Sequence, residues 1–278
     1  MIGTFAKIAK KVLYSSFYAL DRILKRTPKM TVLCYHGIAD SNNVFDISLE
    51  KFEAQIKELK KSGFNFISFA ELENYLLSGT SLPEKSILFT FDDGYKNVLA
   101  TEELTKQHKI LPVVFLITNN KEIDQNQLKN SSELLSTEDL KHLESLGWTI
   151  GSHSDTHPDL VTLSSEKVLD ELRTSKEYLE KVLQKNVLLF SFPKGSYNNS
   201  VLESVEKVGY KFSFTMDEGV ISRDTNLLLI PRVGINNTMS LKDFMASFSP
   251  SVVTVRKITK YLLNLFLPSK ELYEKHFI

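Results

Sequence analysis

The 278-residue chain has a single cysteine, Cys34, so no disulfide can close within it. That scarcity fits a reducing compartment. It also lacks a charge of one sign, because 34 basic side chains balance 34 acidic ones. Nucleic-acid binding, which calls for a basic surplus on one face, finds no support there. No apolar run reaches the roughly 18 residues of a membrane-spanning helix. Nor does a Gly-rich dinucleotide fingerprint follow any apolar run, which weakens a Rossmann reading. No repeat of roughly 20 to 50 residues and no low-complexity tract is present. What remains is ordinary globular composition, 42% apolar and 24% charged, in a chain long enough to bury a sizeable core.

Both ends are unusual. Residues 1–30 hold seven bases (Lys7, Lys10, Lys11, Arg22, Lys25, Arg26, Lys29) and one acid, Asp21. Ile2, Phe5, Ile8, Val12, Leu13, Phe17, Leu20 and Leu24 recur at helical spacing. The pattern suits a basic amphipathic helix on an anionic membrane surface. It equally suits a helix that packs on the domain with its lysines reaching back to water. A signal peptide fits less well, because Ser15 and Ser16 interrupt the apolar stretch and no small-residue cleavage site follows. Near the other end Ile258, Tyr261, Leu262, Leu265 and Phe266 share a helical face beside Arg256, Lys257 and Lys260. The two ends could also pack on each other. The expected divisions are an N-terminal helix (1–29), a catalytic domain (30–247) and a C-terminal helical extension (248–278).

Between the ends, strands and helices alternate. Strands are expected at Thr31–Tyr35, Phe64–Ser68, Ser86–Phe91, Pro112–Ile117, Trp148–Gly151, Val187–Phe192, Tyr210–Thr215 and Leu227–Val233. Helices are expected from Leu49 after an N-cap at Ser48, at Glu71–Leu77, from Ser136 or Thr137 to Gly147, at Ser164–Lys185 and at Asn198–Val208. Alternation of this kind argues for βα units and an α/β fold, a distorted barrel of about seven parallel strands. Polar residues cluster just past these strands: His36, Asp92 and Asp93, His153, and Pro193 to Gly195. In parallel α/β folds the carboxyl ends of the strands share one face, and that face carries the site.

Asp92-Asp93-Gly94 alone reads as a turn. Two adjacent acids at the end of a buried strand, however, are costly unless they are paired or bind a metal. His153 and His157 project to one side if the segment between them makes a helical turn; alone they could be solvated. One carboxylate with two imidazoles makes a metal site that leaves positions open for water. The other carboxylate is then free to serve as a base. His108, His142 and His276 lack such company and read as surface or structural.

These residues carry a family resemblance. Thr90-Phe91-Asp92-Asp93-Gly94-Tyr95, then His153-Ser154-x-x-His157, then Phe192-Pro193-Lys194-Gly195 resemble the polysaccharide deacetylases of carbohydrate esterase family 4, the NodB-like enzymes, over residues 30 to 235. The resemblance implies a distorted (β/α) barrel and metal-dependent N-deacetylation of an amino sugar. It implies one divalent ion, zinc in first place with cobalt or nickel as alternatives, held by Asp93, His153 and His157. Asp92 takes the place of the general base.

Three departures matter. Ser191 stands where the third motif usually has Arg, and Lys194 where it has an aromatic. The oxyanion donor is the backbone N–H after Pro193, which Lys194 still supplies; its side chain reads as a solvated turn lysine. The C-terminal Leu-x-His of the family is missing. Cys34-Tyr35-His36-Gly37 resembles the permuted branch that includes poly-N-acetylglucosamine deacetylases, which makes His36 the acid, against the alternative of a histidine merely hydrogen-bonded at a strand end. Arg232 resembles that branch's substitute for the lost Arg and would pair with Asp92; otherwise it is a surface salt bridge. Thr90, Tyr95, Pro193 and Tyr197 are expected to line the substrate groove, Trp148 to sit in the core, and Cys34 to be a buried strand residue. The expected partner is an N-acetylated glycan or lipid-linked sugar, with no nucleic acid and with membrane contact open to the terminal helices. The expected location is the cytoplasm or the inner face of the cell membrane. A carbohydrate-binding pseudoenzyme and a deformylase of a lipid-linked amino sugar are the alternatives. A glycosidase is disfavoured, because adjacent acids do not straddle a sugar bond.

Overall fold

The computed structural model describes residues 2–119 and 133–266. Eight strands run through it: β1 (Met30–Tyr35), β2 (Asn65–Phe66), β3 (Ser86–Phe91), β4 (Val113–Leu116), β5 (Thr149–Ser152), β6 (Leu189–Ser191), β7 (Phe212–Phe214) and β8 (Val233–Gly234). Among the described residues they lie in the order β7-β6-β5-β4-β3-β1-β8, with β2 beside β3, and every pairing is parallel. The segment before β8 returns to β7: Thr215 N–H donates to Ile230 O and Ile230 N–H to Ser213 O, each at 2.9 Å. The sheet thus curls into the expected distorted barrel. Near-continuous apolar strands such as Ser86–Phe91, buried at every position, suit a sheet covered on both faces.

Nine helices accompany the strands among the described residues: α1 (Ile2–Ile23), α2 (Leu49–Lys61), α3 (Phe69–Ser78), α4 (Glu102–His108), α5 (Thr137–Ser145), α6 (Ser165–Leu183), α7 (Asn199–Val208), α8 (Leu241–Ser247) and α9 (Pro250–Phe266). Ser48, Ser136, Ser164 and Asn198 cap α2, α5, α6 and α7 through their side chains. The short helices α4 and α8 were not expected from the sequence.

Strand alternation divides the core in two. One cluster holds Val32, Leu88, Val113, Phe115, Leu189, Phe212, Phe214 and Ile230. The other holds Leu33, Tyr35, Phe89, Phe91, Val114, Leu116 and Phe190, packed with residues of α2, α5 and α6. Continuing the first set by steps of two past the strand ends, with Gly151 as the interior position of β5, reaches His36, Asp92, His153, Ser191 and Arg232. The interior register of the barrel therefore delivers these side chains to one place. A Cβ on Gly151 would lie 2.6 Å from the Phe115 ring, so a glycine is needed where that ring fills the interior. Trp148 is in the core, stacked on Phe91 at 5.8 Å.

Two strands are shorter than expected. Phe64–Ser68 contributes only Asn65–Phe66, because Ser68 leaves the sheet to form a capping box with Glu71 that opens α3 at Phe69. Leu227–Val233 is reduced to the bridge at Ile230 and to β8, because Pro231 offers no N–H to a ladder.

α1 packs against α8 and α9. Asp21, 1% exposed, accepts from Ser249 Oγ, Ser251 Oγ and Ser251 N–H, so it fastens α1 to the start of α9. Of the proposed C-terminal apolar face, Ile258 and Leu262 are exposed. The side chains of Lys260, Tyr261, Leu265 and Phe266, and all of 267–278 including His276, lie outside the described residues, as do those of Ile2, Phe5, Lys7 and Ile8.

Candidate metal centre

Asp92 and Asp93 follow β3 directly, where the chain must turn. Asp93 and Gly94 both take positive φ, 69° and 74°, and the two carboxylates separate. Asp92 points into the barrel, where Arg232, fully buried, grips both its oxygens at 2.6 Å. Ser191 Oγ donates to Asp92 Oδ2 at 3.1 Å and accepts from Arg232 Nη2 at 2.7 Å. Thr90 Oγ1 accepts from Arg232 Nη1 at 3.1 Å while donating to Leu33 O. The guanidinium also lies 5.5 Å from the centre of the Phe115 ring. Burial is the largest influence on Asp92 and opposes its ionisation, but the charge and hydrogen bonds of Arg232, together with His153 and His36, outweigh it and hold the carboxyl well below the usual range.

Asp93 faces the two histidines. Its Oδ1 lies 3.5 Å from Nε2 of His153 and 3.5 Å from Nε2 of His157, and the imidazole centres are 4.9 Å apart. The expected helical turn is not how they meet. Residues 153–157 form a loop in which Ser154 and His157 both take positive φ. Ser154 Oγ accepts the His157 N–H at 3.0 Å. Glu171, from α6, accepts from the N–H groups of Asp155 and Thr156 at 3.0 and 2.9 Å and from the Thr156 hydroxyl. Asp155 in turn accepts from Thr118 Oγ1, past the end of β4. Short polar side chains replace the helical ladder here, so spacing alone could not anticipate the shape.

His153 Nδ1 donates to Ser191 O at 2.8 Å. Its Nε2 therefore carries a lone pair, which faces Asp93 and, at 3.8 Å, Asp92. Burial lowers both imidazoles to a pKa of about 4, outweighing the carboxylates beside His153, while Lys194 adds to the effect at His157. Both rings are thus neutral at pH 7, and the 3.5 Å approaches are not ion pairs. Two imidazole nitrogens and a carboxylate oxygen converge within 4.8 Å of one another. Lone pairs held face to face repel unless a cation sits among them, and this donor set fits a divalent ion.

Residues 79–213 match the family model for polysaccharide deacetylase. Over that stretch the chain is similar to the polysaccharide deacetylases. It is 28% identical to YxkH of Bacillus subtilis (strain 168), a protein assigned to the polysaccharide deacetylases, over 80% of this chain and 77% of that one. It is 27% identical to the poly-beta-1,6-N-acetyl-D-glucosamine N-deacetylase of Staphylococcus aureus (strain MSSA476), over 69% of each. The Streptococcus pyogenes deacetylase PplD, solved in complex with acetate, superposes with a TM-score of 0.69 at 25% identity, covering 81% of this chain and all of PplD.

The other residues around the site sort by position. His36 is half-buried beside Phe45, with ring centres 5.0 Å apart, and its Nδ1 has no hydrogen-bond partner among the described residues. Cys34, His36 and Asp92 also lie close together. Burial raises the Cys34 thiol well above its ordinary pKa, so it stays protonated, and Arg232 occupies both oxygens of Asp92. That trio is therefore neither a nucleophilic dyad nor a second cation site. Lys194 takes a left-handed φ of 59° in the turn after the buried Pro193.

Two groove assignments need correction. Thr90 is fully buried beneath the site and supports Arg232. Tyr95 is 3% exposed and hydrogen-bonds Asp93; with burial as the larger cause, that contact drives its phenol pKa upward. Tyr197 is half-buried, and its hydroxyl donates to Asp217. The roles the sequence did not assign are those of Ser191, the bridge between Asp92 and Arg232, and of Glu171, which looks like any acid on an amphipathic helix. Their roles depend on tertiary neighbours and leave no local signal.

Proposed function

We propose that this protein hydrolyses the N-acetyl group of an amino sugar within a glycan, with a divalent metal held by Asp93, His153 and His157. The match to the polysaccharide deacetylases supports carbohydrate N-deacetylation, and the convergence of an Asp93 oxygen with nitrogens of two neutral imidazoles, beside an ionised Asp92, carries the metal-dependent reading. A bound ion supplies Lewis acidity and lowers the pKa of water toward about 7. Zinc is the first candidate; cobalt or nickel would suit the same ligands.

Asp92 takes the proton of the attacking water, a step that a positioned base accelerates roughly 10²–10⁴-fold. Arg232 and Ser191 keep Asp92 ionised and fix its direction. His36, at the end of β1 with an unengaged Nδ1, delivers a proton to the departing amine. The Lys194 N–H, presented by a turn that only a left-handed residue completes, meets the developing oxyanion, a contact worth roughly 10²–10³ in rate. Tyr197 and Pro193 border the sugar.

The S. aureus relative makes a β-1,6-linked N-acetylglucosamine polymer the first substrate to try. A lipid-linked amino sugar, acetylated or formylated, is the next. The test is a panel of such glycans assayed for freed amine and for acetate or formate, with the protein as purified, after chelation, and after zinc is restored. Acetate release that chelation abolishes and zinc restores is the expected result. Zinc binding without turnover of any substrate would identify a pseudoenzyme. Asp92→Asn should keep its zinc and lose at least about 100-fold in turnover.

A further inference from the structure

α1 turns its apolar side outward. Val12, Leu13, Leu20, Ile23 and the following Leu24 are all exposed, Ile23 at 77% and Val12 at 60%. At 3.6 residues per turn they fall within about one third of the helix circumference. Ser16 on that arc and Ala19 beside it are uncharged. The side toward the protein is the more polar one: Asp21 is buried at α9, and Tyr14 and Tyr18 are half-buried. An amphipathic helix that only packed on the domain would face the other way.

Bases border the arc. Lys10 lies along one edge, with Lys25 and Arg26 just past the end; Lys11, paired with Asp243 at 2.9 Å, and Arg22 sit farther round toward the protein, and all five are exposed. The adjoining α9 adds exposed Ile258 and Leu262, a turn apart, next to exposed Lys257. α9 contains no acid, and the single acid of α1 is the buried Asp21. No helix among the described residues is long and apolar enough to cross a membrane.

We propose that the outward face of α1, extended by α9, docks on the surface of an anionic lipid bilayer, lying in the interface. Apolar side chains rimmed by Lys and Arg are what such an interface binds. A second copy of the chain is a poorer occupant, because a two-fold pairing of this face sets the same bases against themselves. The deacetylase site is then held beside a membrane, whatever glycan it takes.

Flotation of the full chain with vesicles tests this. It should rise with phosphatidylcholine–phosphatidylglycerol vesicles and bind pure phosphatidylcholine at least about tenfold more weakly, with binding reduced by salt. Leu20→Glu and Ile23→Glu change exposed positions, so circular dichroism and the thermal midpoint should stay as in the parent. Each should lower partition about tenfold or more. The double change Lys25→Glu and Arg26→Glu should weaken binding without touching the apolar arc. A parent protein that stays below the anionic vesicles overturns the proposal. So does a dimer seen by light scattering that Ile23→Glu converts to monomer, since the face would then be a contact between copies.

Discussion

Arg232 and Asp92 meet edge to edge, Nη1 to Oδ1 and Nη2 to Oδ2, both at 2.6 Å, with the side chains 0% and 4% exposed. Such a pair is dearer to break than to omit, because removing one partner strands the other's charge. Arg232→Met should destabilise the protein by about 3–5 kcal/mol. Adding Asp92→Asn should restore part of that loss. Denaturant titration of both singles and the double measures the coupling; strictly additive losses would contradict it.

Acid should weaken the metal-free protein as the pH falls below the ordinary histidine range. His153 and His157 have pKa values of about 4 in the fold against an ordinary 6.5. Between those values the unfolded chain binds more protons at these two sites than the folded one, so they lower stability as pH drops from 6.5 to 4 and add no further loss below. The loss should reach up to about 3 kcal/mol for each imidazole. Asp92, depressed by Arg232, adds nothing in this window, since its share is lost only below the ordinary carboxylate range. Thermal midpoints of chelated protein at stepped pH would follow the slope. Zinc should raise the midpoint more at pH 7 than at pH 5, because protons compete for the ligands.

Glu171 never touches the ligand cluster, yet it holds the loop between the two histidines. Glu171→Gln should lower zinc affinity about 10- to 100-fold while leaving the fold intact. Competition with a chromogenic chelator would measure it, and an unchanged affinity would show that the loop keeps its shape without that carboxylate.

Gly94 is confined from two sides. Its φ is +74°, and a Cβ there would lie 2.3 Å from Leu116 Cδ1 and 3.2 Å from Leu116 Cα. Gly94→Ala should lower the thermal midpoint by several degrees, consistent with a cost of about 1–3 kcal/mol, and should loosen zinc binding by shifting Asp93. Gly209→Ala, also at positive φ but with only a lysine methylene 4.0 Å away, should cost less.

The barrel could be read from the chain because its signals are local. Ser86–Phe91 is wholly apolar or small and ends in two acids, and Trp148–Gly151 ends just before His153. Ser48, Ser136 and Ser164 announce helices through their own side chains. The strand parity that gathers Asp92, His153 and Arg232 is likewise a matter of counting. Where side chains override backbone preference, the reading stopped. The left-handed Ser154 and His157 depend on Glu171, which is 14 residues beyond His157 in sequence. Thr90 and Tyr95 share a motif with the acids and so looked like groove residues, but alternation and depth decide which way each points. Pro231 cut the last strand, and the bridge at Ile230 closes the ring only because Ser213 and Thr215 supply the other half of each hydrogen bond.

That closure has a bearing on how the molecule comes together. Arg232 rides on the last segment to join the sheet, 140 positions after the acid it neutralises. Without that segment Asp92 has no guanidinium beside it, and nothing grips its two oxygens. Sealing the ring and arming the carboxylate are therefore a single event, and a chain clipped ahead of Pro231 would lose both together.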